Sequence, residues 1–169
     1  MMSGQGGKRG AVLVELALLL PLLLLLTLAT VEFAQALADY KVIVNQVRSA
    51  TRYLSTQAAG TSHTEAECLL THGVISSSKP CPGNVLLAGF GRSGFSVAVA
   101  DAVNAPATHR SQRSSADLTV TSATSVNLVS VTANGYQHQL YFSAFYPGVT
   151  GGAPTLDFGP ISMTMRQTL

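Results

Sequence analysis

Gly10-Ala11-Val12-Leu13-Val14-Glu15 opens into an almost unbroken apolar run from Leu16 to Val31, and the reading of this stretch decides how the rest of the chain folds. An α-helix rises about 1.5 Å per residue, so Leu16 to Val31 alone reaches roughly 24 Å, short of a hydrocarbon core of about 30 Å. Adding Ala11 to Val14 makes the span adequate, which puts Glu15 in or near lipid. An acid there costs on the order of 2.5–3.5 kcal/mol at the helix centre and less near an interface. Either it snorkels or stays protonated near the cytoplasmic face, or the residues upstream supply its reason. Lys8 and Arg9 precede the span and a mixed Glu32, Asp39 and Lys41 follow it. By the positive-inside rule the N-terminus is expected in the cytoplasm, with everything beyond about residue 32 outside the inner membrane.

Past the span the pattern stays helical. Phe33, Leu37, Tyr40, Val44, Val47, Thr51 and Leu54 recur at alternating steps of four and three, while Glu32, Asp39, Gln46 and Arg52 lie largely elsewhere on the wheel. No Gly or Pro interrupts this half before Gly60, a C-terminal stop signal. The two halves predict one helix of nearly fifty residues, roughly 70 Å long, with Pro21 the place for any bend. The first half is expected to meet lipid and neighbouring subunits, and the stripe of the second to lie under a globular domain.

A short basic leader, a Gly and a Glu five residues beyond it resemble the processing site of type IV prepilins. The segment Arg9-Gly10-Ala11-Val12-Leu13-Val14-Glu15-Leu16-Ala17-Leu18 with Pro21, then Glu32-Phe33 and the later Val47-Arg48-Ser49-Ala50-Thr51-Arg52-Tyr53, resembles the TadE-like pseudopilins of Flp/Tad tight-adherence systems. The resemblance implies that prepilin peptidase cuts between Gly10 and Ala11, freeing an amine on Ala11 that meets Glu15 of an adjacent subunit. In a low dielectric this pair relieves the isolated acid only in the right register, so it selects register as well as stabilising. The implied partners are prepilin peptidase, other pilins and pseudopilins, the inner-membrane pilus assembly platform and the lipid bilayer. The implied role is structural, in biogenesis of Flp-type pili for adherence and biofilm formation. Leu16 stands where TadE-like proteins often have Phe and the major Flp pilins have Tyr. A long domain also follows the helix, which favours a minor pilin or pseudopilin over a major pilin.

The same segment admits a competing interpretation, a secretory signal peptide cut after Ala36-Leu37-Ala38. That would discard the helix and leave a secreted or signal-anchored periplasmic binding domain that never enters a fibre. Against it, the apolar run exceeds the usual length of about 7–15 residues. Glu15 interrupts its start, and Pro21 sits early rather than near the cut.

Composition agrees with an exported, anchored protein: 47% of residues are hydrophobic and 11% charged, and a net charge of +2 is too small to argue for nucleic acid. The expected organisation is a basic leader (1–10), a transmembrane half-helix (11–31), an amphipathic periplasmic half-helix (32–59), a loop (60–84) and a β-rich domain (85–169). The fold class is α+β, a long helix packed on a small antiparallel pilin-like domain. The loop holds both cysteines. In an oxidising periplasm Cys68 and Cys81 are expected to form a disulfide contributing about 3 kcal/mol by loop closure. His63, Cys68, His72 and Cys81 are metal-ligating types, but their spacing matches no familiar zinc finger, so no metal is assigned.

From Val85 onward the chain reads as β. Phe95, Val97 and Val99 alternate with small residues, Leu118 and Val120 with threonines, and Ile161, Met163 and Met165 with Ser162, Thr164 and Arg166. Asn134-Gly135 predicts a two-residue type I′ hairpin pairing Val131 with His138, Val129 with Leu140 and Asn127 with Phe142. His138 then falls on the apolar face as a core or edge histidine. Val103 to Ser115 reads as a polar surface loop, and Pro147 to Pro160 as a Gly- and Pro-rich one. Gly89-Phe90-Gly91-Arg92-Ser93-Gly94 fits G-x-G-x-x-G, yet Phe95 to Ala100 has the period of a strand where a dinucleotide site needs a helix. The glycines are expected in a turn, and no cofactor is assigned. The acids Glu65, Glu67, Asp101, Asp117 and Asp157 are scattered and no catalytic motif appears, so no catalytic residue is assigned. The D-x-S-x-S motif of TadG-like relatives is also absent, which argues against a metal-dependent adhesin.

Overall fold

The computed structural model describes residues 6–112, 125–140 and 155–168. Helix α1 runs from Gly6 to Ser55, 50 residues that pass through Pro21 without interruption. The missing N–H of Pro21 costs one rung of the ladder, and good helix formers on both sides carry the helix across it.

The second half of α1 is the spine of the domain, with its buried stripe displaced from the expected one. Ala36, Ile43, Val47, Ala50 and Leu54 are buried, together with Glu32 and Thr51. Phe33 and Leu37 stay exposed, at 63% and 43%. Ala36 and Ala50 explain the rotation, because small side chains let the sheet and the second helix approach the backbone. The upper end of the spine is closed by the last strand. Gln167 Nε2 donates to the Gln57 carbonyl at 2.8 Å, and the Thr168 N–H donates to the Ser55 carbonyl at 2.9 Å. Carbonyls that a helix end leaves without partners are thereby satisfied.

Residues 60–84, expected as loop, contain a second helix, α2 (His63–His72). Its signals are partial, for Ser62 at its N-terminal end makes no side-chain capping hydrogen bond. Glu65 lies in the first turn, where a carboxylate complements the helix dipole, and Gly73, at φ 72, ends it by donating its N–H to the Leu69 carbonyl. Ala66 and Leu70 pack into the core with α1. The disulfide Cys68–Cys81 ties α2 to the segment after it.

A 3₁₀ turn (Ala88–Gly91) leads to β1 (Ser96–Ala100), a helical turn α3 (Pro106–His109) and β2 (Arg110–Gln112). Then come β3 (Ser125–Asn134), β4 (Gln137–Gln139), β5 (Thr155–Asp157) and β6 (Ile161–Gln167). The expected surface loop at 103–115 thus holds short structure in its described part. The expected alternation at Leu118 and Val120, the partner Phe142 and most of the 147–160 loop lie outside the described residues.

Strand β3 organises the sheet. One edge carries β1, with Ser96 opposite Asn134 and Val99 opposite Val131, and β2, with Arg110 opposite Asn127. The other carries β6, with Val129 opposite Met165 and Ala133 opposite Ile161. All pairs are antiparallel. The alternating face of Val97, Val99, Val129, Val131, Ala133, Ile161 and Met163 meets Ile43, Val47, Ala50 and Leu54 of α1. This is the α+β arrangement of a long helix on a small antiparallel sheet.

The hairpin at Asn134-Gly135 does not form. Strand β4 pairs with β5 instead, His138 opposite Leu156, in a separate two-stranded sheet. A type I′ turn needs positive φ at both central residues, whereas only Gly135 has it, at 70°. Gly135 serves a different need: a Cβ there would collide with the carbonyl oxygen of Gly94. The chain passes β1 at that point, and Tyr136 turns inward among Phe90, Phe95 and Phe158, stacked on Phe158 at a centroid distance of 5.3 Å.

Candidate functional site

The membrane-type half of α1 is bare. Among the described side chains, the large apolar residues from Val12 to Leu26 are all exposed, and none of the most apolar window is buried within the protein. A core helix of equal hydropathy would be covered. This helix is long and apolar enough to cross a membrane, which fits single-pass anchoring.

Gly10, Ala11 and Glu15 all lie on this bare half, exposed and near its lower end. Open space surrounds Gly10. No described side chain hydrogen-bonds or ion-pairs with Glu15. Glu32, the next acid, is seventeen residues further along, about 26 Å away at 1.5 Å per residue. The structure therefore keeps Gly10, Ala11 and Glu15 together on one helical stretch and, among the described residues, brings nothing from the folded domain near them.

Asp39, placed off the buried face by the sequence pattern, lies at the junction between bare helix and domain. Its Oδ2 accepts from the Tyr136 hydroxyl at 2.8 Å and from His138 Nδ1 at 2.7 Å. His138 is 5% exposed, and its Nε2 is buried without a hydrogen-bond partner. Because a carboxylate accepts, Nδ1–H is the donor in this contact. Beside them lies a cavity of about 330 Å³ whose wall includes Gln35, Asp39, Arg92, His138 and Gln139. Arg92 donates through Nη2 to Gln139 Oε1. This junction was missed in the sequence, but a signal existed: the steps Leu54, Ala50, Val47, Ile43 continue backwards through Asp39, Ala36 and Glu32.

Another acid, Asp101, is buried and structural. It is 1% exposed and accepts from the N–H groups of Gly60 and Val103 at 2.8 Å, from that of Asn104 at 3.0 Å, and from His63 Nε2 at 2.7 Å. Burial pushes the Asp101 carboxyl pKa up, but the hydrogen bonds from Asn104, His63, Gly60 and Val103 together outweigh it and lower the value from 3.8 to about 2.

The four metal-ligating types named from the sequence are not assembled as a metal site. Cys68 and Cys81 are bonded to each other, which removes both thiolates, and His63 faces Asp101. No group of three or more such ligands occurs among the described residues. Gly89, Gly91 and Gly94 lie in the 3₁₀ turn and the approach to β1, as a turn between elements. Gly89 is needed there because a Cβ would overlap the ring of Tyr136.

Neither the curated proteins nor the solved structures contain a match to this chain. The family model that does match is described as TadE-like protein and aligns with residues 10–52, the bare half of α1 and most of its buried half. Over its N-terminal helix, which carries the apolar segment and Glu15, the chain is similar to TadE-like proteins, and the likeness spans residues 10–52 of its 169.

Proposed function

We propose that this protein is a minor pilin or pseudopilin of a Tad-type pilus, anchored by α1 in the inner membrane with its domain on the periplasmic side. In this reading prepilin peptidase cleaves between Gly10 and Ala11, and the new amine of Ala11 meets Glu15 of a neighbouring subunit. The protein is a structural part of fibre biogenesis, serving adherence and biofilm formation, and not a catalyst. Its partners are other pilins and the membrane assembly platform.

The observation that carries this reading is the coincidence of the TadE-like match over residues 10–52 with a helix whose apolar half is wholly uncovered. Among the described residues Glu15 has no partner, and a cation brought by a neighbouring molecule would stabilise an acid on such a surface. The continuity of α1 also weighs against a signal peptide cut after Ala38. Ala36 is buried under the domain, so that cut would sever the spine within its packed region.

Mass spectrometry of the protein from its native host tests the proposal. The expected mature N-terminus is Ala11. A mature chain beginning at Asp39 would overturn both the processing and the anchoring.

A further inference from the structure

We propose that the outward face of the upper half of α1, carrying Lys41, Arg48 and Arg52, binds a row of carboxylates on a helix of a different membrane-anchored protein. The inference deepens the fibre reading by naming the chemistry of one partner, and it rests on the anchoring of α1 in a membrane.

The three cations share one strip of surface. At about 100° per residue they fall within about 40° of one another around α1, roughly opposite Ile43, Val47, Ala50 and Leu54, and span about 17 Å along it. Lys41, Arg48 and Arg52 are all exposed, as are Asn45 and Ser49 between them. Among the described residues none of the three cations has an ion pair or a side-chain hydrogen bond, whereas Lys79 pairs with Glu67 and Arg92 donates to Gln139. The acids on this half of α1 are turned to the other side: Glu32 is buried, and Asp39 is held by Tyr136 and His138. Folding does not account for the strip. Arg52 lies in the last turn, where it complements the helix dipole, but Lys41 does not, and like charges four residues apart, as at Arg48 and Arg52, weaken a helix.

The place of the row selects its occupant. At about 1.5 Å per residue, Arg48 and Arg52 stand about 26 and 32 Å above Val31, beyond a headgroup layer about 5–8 Å deep, so lipid phosphates are out of reach. Three charges in a single row on a chain of net charge +2 do not make the broad basic surface that nucleic acid needs. A second copy has no matching row: of its described acids outside the interior, Glu67 is paired with Lys79, and Glu15, Glu65 and Asp157 stand on α1, α2 and β5. What fits is a helix of another protein laid alongside α1, with carboxylates at the spacing of Lys41, Arg48 and Arg52. Each guanidinium takes a carboxylate through two N–H groups. A helix rising from the same membrane brings its acids to the height of this row.

The test places p-benzoylphenylalanine at Asn45 or Ser49 of the full chain in its native host and identifies photo-crosslinked peptides by mass spectrometry. The expected adduct is with a different membrane-anchored protein, through a peptide with acids at that spacing. Arg48→Glu with Arg52→Glu should lower the adduct yield at least about tenfold, and Arg48→Lys with Arg52→Lys should keep it within about threefold. Replacing the two facing acids of the captured protein by arginine should restore the yield of the Glu pair to within about twofold. Both arginines are exposed, so these variants are expected to fold, as judged by an unchanged circular dichroism spectrum and melting point. If the Glu pair melts lower, Lys41→Glu, remote from the helix end, takes its place with the same expectation at Asn45. No adduct, an adduct only with lipid or with another copy of this chain, a crosslinked peptide without acids, or a yield indifferent to the charge reversals would each overturn the proposal. Anchoring is scored separately by carbonate extraction: a chain released from membranes overturns the anchoring and this inference together, whereas a retained chain without the adduct overturns this inference alone.

Discussion

Asp101 stitches the Gly60 turn, the start of α2 and the turn after β1 into one knot. Its pKa is lowered from 3.8 to about 2, so the folded state holds its proton more weakly than the unfolded state. Stability from this group is therefore complete above about pH 4 and drains away as pH falls toward 2, on the order of 2 kcal/mol in total. Asp101→Asn should lower stability by about 1–3 kcal/mol at neutral pH and flatten the acid limb of the unfolding curve between pH 4 and 2. Urea titrations across that range check both. At Glu15 the expected outcome has another character: Glu15→Ala inserts into membranes as the parent does, yet fails to co-purify with other pilins. Unchanged piliation would remove the assembly role given to the acid. Glu15 was legible in sequence because an acid within an apolar run is conspicuous without knowledge of any partner. Asp39 and His138 were not, since the two are 99 residues apart and meet only after the chain has folded.

At the scale of elements, Gly135 is the sharpest point. Gly135→Ala faces both a positive φ and a collision with the Gly94 carbonyl, and should cost at least about 2 kcal/mol in chemical denaturation. If the residue merely closed a hairpin, Gly135→Asn would be tolerated, because Asn accepts positive φ in turns. The close backbone approach predicts that it is not. The dipeptide invited the hairpin reading since local turn chemistry was the only information at hand. What overrides it is Tyr136, whose place in the aromatic cluster directs β4 away from β3 toward β5. Strands β1 and β6 were legible because strict alternation survives burial of one face, as Val97, Val99, Ile161 and Met163 show. Helix α2 was hidden by its length of ten residues and its polar flanks. The stripe of α1 was read one position off in its lower part, where large side chains such as Phe33 mark the face and alanines make the contact.

For the whole molecule, the disulfide is the clearest lever on stability. Its cysteines are 13 residues apart. Replacing both, as Cys68→Ser with Cys81→Ser, should lower unfolding free energy by about 3 kcal/mol while leaving α1 helical. Circular dichroism through a denaturant series reads both effects, and an unchanged midpoint would show that α2 is held by packing alone. The plan of one long helix and a small sheet was legible because apolar length and helical period need no tertiary knowledge. The path of the chain through the sheet was not, because register depends on which strands meet. Fifty residues of α1 without a break also fix how the molecule responds to force. The apolar rod long enough to cross a membrane is continuous with the rod to which the sheet is packed, so a pull on one reaches the other without crossing a loop. A tug on the lower end loads the Ile43–Leu54 seam lengthwise, in shear, where many contacts share the strain instead of parting one after another. Axial displacement or twist of the lower half is thereby passed along the helix to the sheet.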